Sequence, residues 1–459
     1  MARGIRRVHF VGIGGSGMNG IAEILVRMGF RVTGSDLRVN PAVERLAALG
    51  CTVFEGHRAE NAAGADVVVV SSAVPPDNPE LHQARADRVP VIPRAEMLGE
   101  LMRMKYAVGV AGAHGKTTTT AMAALLLHHA GMDPTVVIGG RLSHFDANAR
   151  LGLGPCMVAE ADESDGSFLK LFPTVAVVTN IDAEHLGHYG NMGNLCRAFV
   201  DYVNRVPFYG GAVLGIDNGL VRAMVPVINR RYVTFGFAGD ARVRGENYRA
   251  GEEGSRFRVY RGKEALGEVS LAIPGRHNAQ NALAVVAVGL ELEIPMRTIG
   301  EALALFRGAD RRFQTRGVAR GVRVVDDYGH HPTEIRATLE AARGIARGRV
   351  IAVFQPHRYS RVHALWDDFC AAFGDADAVW CTEIYPAGED PIPGVTGEAL
   401  AVGTRCRDGK AGFCPSFGAL ARRIAREAAP GDLVITFGAG NIHQVCGEIL
   451  SQLSAGVEK

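Results

Sequence analysis

YAVGVAGAHGKTTTTAMAALLLHHA, residues 106–130, is the stretch from which the rest of the chain is read. The apolar run Tyr106 to Ala111 reads as a buried strand, and the Ala, Met and Leu residues after Thr120 read as a helix. Between them lies a tight loop, Gly112-Ala113-His114-Gly115-Lys116-Thr117. Strand, glycine loop and helix make a phosphate cradle. Glycines let backbone N–H groups approach an anion, and the helix N-terminus adds positive potential. Lys116 supplies a point charge, and Thr117 can offer its hydroxyl to Mg²⁺. The strict G-x-x-x-x-G-K-[ST] pattern needs glycine at 110, where Val110 stands, so the loop is a shortened form. The alternative is a glycine-rich turn carrying an ordinary surface lysine. We read it as an ATP site in which Gly112, Ala113, His114, Gly115, Lys116, Thr117 and Thr118 surround the phosphates.

Working outward, 459 residues are too many for one core and imply several domains. A hydrophobic content of 47% with 21% charged residues belongs to an ordinary globular protein, and a net charge of +2 argues against a nucleic-acid surface. The eight cysteines form no C-x-x-C pair or Cys/His cluster, which predicts free thiols in a reducing compartment and no zinc. Glycines interrupt the apolar run after MARGIRRVHFVG too early for a signal peptide, and no apolar stretch is long enough to span a bilayer. These features predict a cytoplasmic protein.

Upstream, Gly12-x-Gly14-x-x-Gly17 follows the apolar run Val8 to Val11, and Asp36 ends the next one. Alone, this fingerprint points to a dinucleotide enzyme, although the same turn can hold any pyrophosphate. ADVVVVSSAVPPDNPE adds a strand ending in Ser71-Ser72, so a small parallel sheet is expected up to about residue 105.

Downstream, CMVAE-ADESDGSF and VAVVTN-IDAEHLGHY each end an apolar run in polar residues. Open parallel sheets bind ligands at the carboxyl ends of their strands, which places Glu160 and His185 near the loop as candidate metal ligands. For Asp162, Glu163 and Asp165 a solvated acidic turn is an equal alternative. Residues 210–270 read as an antiparallel insertion. Asn278 and Asn281 lie at the start of an apolar helix, where a capping role competes with a functional one. From Phe313 the pattern repeats: GVRVVDD-YGHHPTEI, VIAVFQ-PHRYSR and DLVITFGAGNI are strands running into polar turns. The expected fold is α/β, with three consecutive domains: a Rossmann-like domain (1–105), a P-loop ATPase-like central domain (106–312) and a Rossmann-like C-terminal domain (313–459).

With these motifs in view the chain resembles the Mur ligases, in their alanine-adding branch. HFVGIGGSGMNGIAEIL, SSAVPPDNPE, GAHGKTTTT, AEADESDGSF, TNIDAEH, HNAQNA, RRFQ, DDYGHHPTE and QPHRYSR occur in the family's order and cover nearly the whole length. The resemblance implies ATP-dependent joining of L-alanine to the lactyl carboxylate of UDP-N-acetylmuramate through an acyl phosphate. It assigns Gly14, Gly15, Ser16, Gly17 and Ser71 to the UDP-sugar instead of NAD. It gives Lys116 to the β/γ-phosphates, and Thr117, Glu160 and His185 to Mg²⁺ or Mn²⁺. Asn278 and Asn281 go to adenine and ribose. Asp327 joins the nucleotide set with the motif that brings the third domain to the site. Arg311, Arg312, His330, His331, His357, Arg358 and Arg361 become the substrate set. A monomer or weak homodimer is expected.

Two departures stand out: Ala113 where the family usually has Thr, and Gly187 where an acidic residue is expected. No lysine occurs between Lys170 and Lys263, so a carbamylated lysine over a second metal is absent. A recycling ligase adding a whole tripeptide shares these motifs. A non-catalytic UDP-sugar module would not need Lys116, Thr117 and Glu160, and a dehydrogenase would need NADH binding.

Overall fold

Runs such as Val67–Val70, Val175–Val178, Val350–Phe354 and Leu433–Phe437 are apolar along their whole length and buried almost throughout. Strands covered on both faces have this composition, because helices shield each side of a parallel sheet from water. The computed structural model describes residues 5–455 apart from 72, 143–146 and 410; the side chains of 16, 140–148 and 405–408 also lie outside the described residues.

Three sheets result. In the first, spatial order is Thr52–Glu55, Arg31–Asp36, Arg7–Val11, Val67–Val70, Val91–Pro93, all parallel. Chain order reverses between Arg7–Val11 and Val67–Val70, which opens a crevice at their carboxyl ends. The second sheet has a parallel core of Tyr232–Gly236, Gly211–Gly215, Val175–Val178, Tyr106–Ala111, Cys156–Glu160 and Thr135–Leu142, with Ala147–Arg150 antiparallel at one edge. The third runs Gln314–Ala319, Val322–Asp327, Leu433–Phe437, Val350–Phe354, Ala378–Cys381, Ala411–Phe413, with only the first pair antiparallel.

The expected antiparallel insertion over 210–270 holds for its second half only. Gly211–Gly215 and Tyr232–Gly236 continue the parallel sheet, in register with Val175–Val178 and with each other. Val243–Gly251, Gly254–Arg261 and Glu264–Leu271 follow as neighbours joined by two-residue turns, a connection that only antiparallel pairing allows. Short apolar runs do not reveal their direction; the helix between them does.

The chain divides into two compact units, Met1–Gly245 with Val259–Gly267 and Gln280–Leu303, and Glu246–Arg258 with Glu268–Ala279 and Ala304–Lys459. Within the first, Met18, Ile21 and Leu98 share one buried cluster with Val137, Ala149 and Phe168, so the first two sheets fold around a continuous core. Among the described residues no helix is long and apolar enough to cross a membrane. The seven described cysteines are free.

Candidate functional site: a phosphate cradle and an arginine loop

The loop after Tyr106–Ala111 is shaped by two glycines. Gly112 has φ +135°, and a Cβ there would meet Thr179 Oγ1 at 2.1 Å; Gly115 has φ +81°, and its Cβ would meet Asn281 Oδ1 at 2.4 Å. Both backbone angle and space therefore exclude a side chain. The neighbouring strand end braces the loop. Asn180 accepts from Ala113 N (3.1 Å) on its carbonyl and from His114 N (2.8 Å) on its side chain, and Thr179 Oγ1 donates to the His114 carbonyl at 2.7 Å. His114 Nε2 lies 2.9 Å from Asp182 Oδ2. Helix Lys116–His129 starts directly from the loop, with Thr118 buried in its first turn.

Lys116 is folded back into the cradle. Its Nζ donates to the Gly112 carbonyl at 2.7 Å and to both oxygens of Glu163 at 2.9 Å. Glu163 is 2% exposed. Burial pushes its carboxyl up against the pull of Lys116. Burial likewise opposes the ammonium, but Glu163, Asp162 and Glu160 outweigh it and raise the lysine. Two equal 2.9 Å contacts to one nitrogen are the geometry of a charged pair, which is the state we assign. The acidic turn thus splits. Asp162 and Asp165 are exposed and accept from Ser164 N and Ser167 N, as turn formers do, while Glu163 points into the cradle.

Thr117 Oγ1 lies 3.1 and 3.2 Å from the Glu160 oxygens, and Gly139 N donates to Glu160 at 2.9 Å. A hydroxyl beside a carboxylate is a hard-oxygen donor set of the kind Mg²⁺ takes. His185, in a left-handed conformation at φ 57°, begins the short helix Leu186–Tyr189. Its ring, with Glu184 and Glu163, offers ligand atoms within 4.8 Å of one another. The sequence leaves Glu163 undecided between a functional residue and a solvated turn, and does not single out Glu184.

At the first sheet, Gly12 N and Ile13 N donate to the Ser35 carbonyl, and Gly14 N donates to Asp36 Oδ2 at 2.8 Å. One Asp36 oxygen therefore braces the turn. Ser71 follows the adjacent strand and packs against Gly12, so the turn and Ser71 meet at the switch point. Gly15 caps helix Ser16–Arg27; the Ser16 side chain lies outside the described residues. Arg94, which no motif singled out, lies against Gly17 and lines a cavity with Leu98, Gly139, Glu160 and Asp162. The glycine turn and the Glu160 carboxylate open onto the same cavity.

In the second unit the carboxyl ends of three neighbouring strands gather the remaining residues. Both Asp327 oxygens accept backbone N–H groups, from Phe313 at 2.8 Å and Gly329 at 2.7 Å, and burial holds its carboxyl up at about 6 despite Arg312 and these bonds. Arg311 is used internally. It donates to Asp326, to the Gly438 carbonyl at 2.6 Å and to the Gly440 carbonyl at 3.2 Å, and so holds the last glycine turn. Arg312 pairs with Glu334 at 3.2 Å. His331 caps helix Pro332–Arg343 through Nδ1, which leaves its proton on Nε2. His330 directs Nδ1 at the Tyr328 carbonyl, 3.1 Å away, so its Nε2 is a bare acceptor. Burial, with Arg361 and Arg312 adding to it, lowers His330 to about 3. Burial, then Arg361 and Arg358, lowers His357 to about 4. Arg361 Nη1 donates to His357 Nδ1 at 3.3 Å. Arg358 faces Glu389 at 3.8 Å. Asn278 is buried, and its amide donates to the Pro274 carbonyl at 2.6 Å.

Family models cover almost the whole chain: Mur ligase family, catalytic domain, at residues 7–106; Mur ligase middle domain at 110–289; and Mur ligase, glutamate ligase domain, at 311–440. Among curated proteins the chain is 53% identical over 457 residues to a UDP-N-acetylmuramate–L-alanine ligase of Geobacter sp. (strain M21), covering 99% of each. It is 53% identical to the protein of that name from Myxococcus xanthus, covering 97% of this chain and 95% of the relative. Among solved structures, UDP-N-acetylmuramate-alanine ligase from Thermotoga maritima matches with a TM-score of 0.80 at 30% identity, covering 98% of this chain and 99% of that one. A murein peptide ligase from Psychrobacter arcticus shares the fold, at TM-score 0.68 and 22% identity over 99% of this chain and 100% of that one.

Proposed function

The chain belongs to the Mur ligase family, and from that premise we propose that it uses ATP to join L-alanine to the lactyl carboxylate of UDP-N-acetylmuramate, releasing ADP and phosphate. The observation that carries the proposal is the cradle around Lys116. A half-buried lysine, two side-chain-free glycines and a hydroxyl–carboxylate pair suit a polyphosphate and its metal. The 53% identity to an alanine-adding relative over nearly the whole chain, against 22% and 29% to two murein peptide ligases, favours alanine over a tripeptide.

A carboxylate is a poor electrophile, so the reaction first moves the γ-phosphoryl group of ATP onto it. The alanine amine then attacks the acyl phosphate, and phosphate leaves the tetrahedral intermediate. Gly112–Thr118 hold the phosphates by backbone N–H groups, and Lys116 moves from Glu163 to the β/γ-phosphates. Thr117 and Glu160, and His185 beside Glu163 and Glu184, would hold Mg²⁺ or Mn²⁺, which when bound would neutralise charge on the transferred group. Asn281, over Gly115, and Asn278 serve the nucleoside, as does Asp327, which accepts from the Phe313 and Gly329 backbones. Gly14, Gly15, Ser16, Gly17 and Ser71 take the UDP-sugar. Arg312, His330, His331, His357, Arg358 and Arg361 take the reacting substrates, with Arg311 holding the turn beside them. We assign the three sheets to functional domains 1–105, 106–312 and 313–459. The protein works in the cytoplasm, without nucleic-acid partners, as a monomer or weak homodimer.

ADP release from ATP and UDP-N-acetylmuramate, measured with each amino acid and with the murein tripeptide, tests the reading. L-Alanine should support the fastest turnover, and preference for the tripeptide would establish the recycling ligase instead.

A further inference from the structure

The stretch Gln355–Arg361 does not hold its shape by itself. Arg358 has φ 67° and ψ 130°, outside the regions a side-chain-bearing residue normally adopts. The segment around Tyr385 imposes the shape. His357 and Tyr385 form an isolated parallel bridge; Arg358 N donates to the Tyr385 carbonyl at 2.9 Å, and Tyr385 N to the Pro356 carbonyl at 2.8 Å. The two rings stack at 5.6 Å and 5°. Beyond them Glu389 closes the arrangement. It accepts from Ser360 N at 3.0 Å and Ser360 Oγ at 2.7 Å, and one of its oxygens lies 3.8 Å from Arg358 Nη1.

We propose that Glu389 is a specificity-determining residue that acts through Arg358: it sets the arginine loop and offsets one of its two positive charges, so that the amino-acid site accepts one carboxylate and rejects a second. The inference rests on the reading that Arg358 and Arg361 meet the amino-acid carboxylate. Two arginines without a counter-charge would draw a dicarboxylic amino acid as readily as a neutral one. A fixed carboxylate beside them lowers the positive charge of the loop and repels a side-chain carboxylate. Burial pushes the Glu389 carboxyl up, but bonds from Ser360 and then the charges of Arg358 and Arg361 together outweigh it and hold it below the usual carboxylate range.

The probes are L-asparagine and L-aspartate, alike in size and different by one charge, tested as inhibitors of alanine-dependent ADP release. The wild-type enzyme should bind L-aspartate about tenfold or more weakly than L-asparagine. Equal inhibition by the two, including none by either, overturns the proposal without any variant. Glu389→Gln preserves the shape and removes the charge. It should shrink the asparagine-to-aspartate preference about fivefold or more while kcat changes little. Glu389→Asp should keep the preference. A purely structural Glu389 would weaken both inhibitors alike in Glu389→Gln, and that result also overturns the proposal. Arg361→Ala separates the two levels: if it leaves the alanine KM unchanged, the amino-acid-site reading has failed; if it raises that KM while Glu389→Gln keeps the preference, only the inference about Glu389 has failed.

Discussion

Lys116→Ala should cost the protein twice, and the two losses have different pH signatures. The ammonium touches both Glu163 oxygens at 2.9 Å, and Glu163 is 2% exposed. Removing one partner of such a pair typically costs roughly 3–5 kcal/mol, because the remaining charge stays buried. At roughly 2–4 °C per kcal/mol for a domain of ordinary size, Tm should fall by about 6–20 °C near pH 8. The carboxyl can escape part of this by taking up a proton. Burial raises its folded pKa above the unfolded value, so its contribution is fully present below the unfolded pKa and is lost as pH rises through the folded one. The stability gap to wild type should therefore narrow as pH falls from 8 towards 5, by up to about 1.4 kcal/mol per pH unit. Calorimetry on both proteins across that range measures it. Turnover, followed as ADP release, should drop by at least roughly 10²–10³-fold at every pH, since a phosphate-binding charge is gone. A double variant, Lys116→Met with Glu163→Gln, should recover stability without activity. A Tm gap that stays constant or widens on acidification would refute the buried pair, and near-normal turnover in Lys116→Ala would refute the ATP site.

Glu160→Ala frees Thr117 and Gly139 from their shared carboxylate, and should raise the Mg²⁺ concentration for half-maximal rate by at least the roughly 10–100-fold that outer ligand-shell partners cost; full activity of EDTA-treated wild type would sink the metal assignment. Arg361→Ala should raise the alanine KM by about ten- to a hundredfold with ATP KM nearly unchanged, from the loss of a charge-assisted contact worth roughly 1.5–3 kcal/mol. Alaninamide, which lacks the carboxylate, should lose little further on that substitution, and equal losses for both would exclude Arg361 as the carboxylate's partner. His330 and His357 have folded pKa values below the ordinary 6.5, at about 3 and about 4, so the stability they contribute is complete above 6.5 and is lost as pH falls through the lower values. Proton NMR of the ring signals should find both neutral at pH 6, and a midpoint near 6.5 for either contradicts the burial and arginine effect.

Local sequence carries a large share of this architecture. The strand, two-glycine loop and helix at 106–130 are adjacent residues with fixed backbone demands, so the order of residue types alone places Gly112, Gly115, Lys116 and Thr117 at a tight strand-to-helix turn. The same holds for the polar residues that end each strand, since a parallel sheet collects them at one edge. Direction and depth are not local. Gly211–Gly215 looks like a short antiparallel strand until the intervening helix is seen to carry the chain back parallel. Asp162, Glu163 and Asp165 are three carboxylates in one turn; only the packing sends Glu163 inward to Lys116 and leaves the others to cap backbone N–H groups in water. Arg94 reaches Gly17, and Tyr385 and Glu389 reach Arg358, from segments with no motif of their own. Composition and spacing settle which backbone shapes a segment can take. Which distant side chain meets it, and whether a charge there is solvated or buried against a partner, depends on how the sheets and loops pack, and the tertiary structure alone decides that.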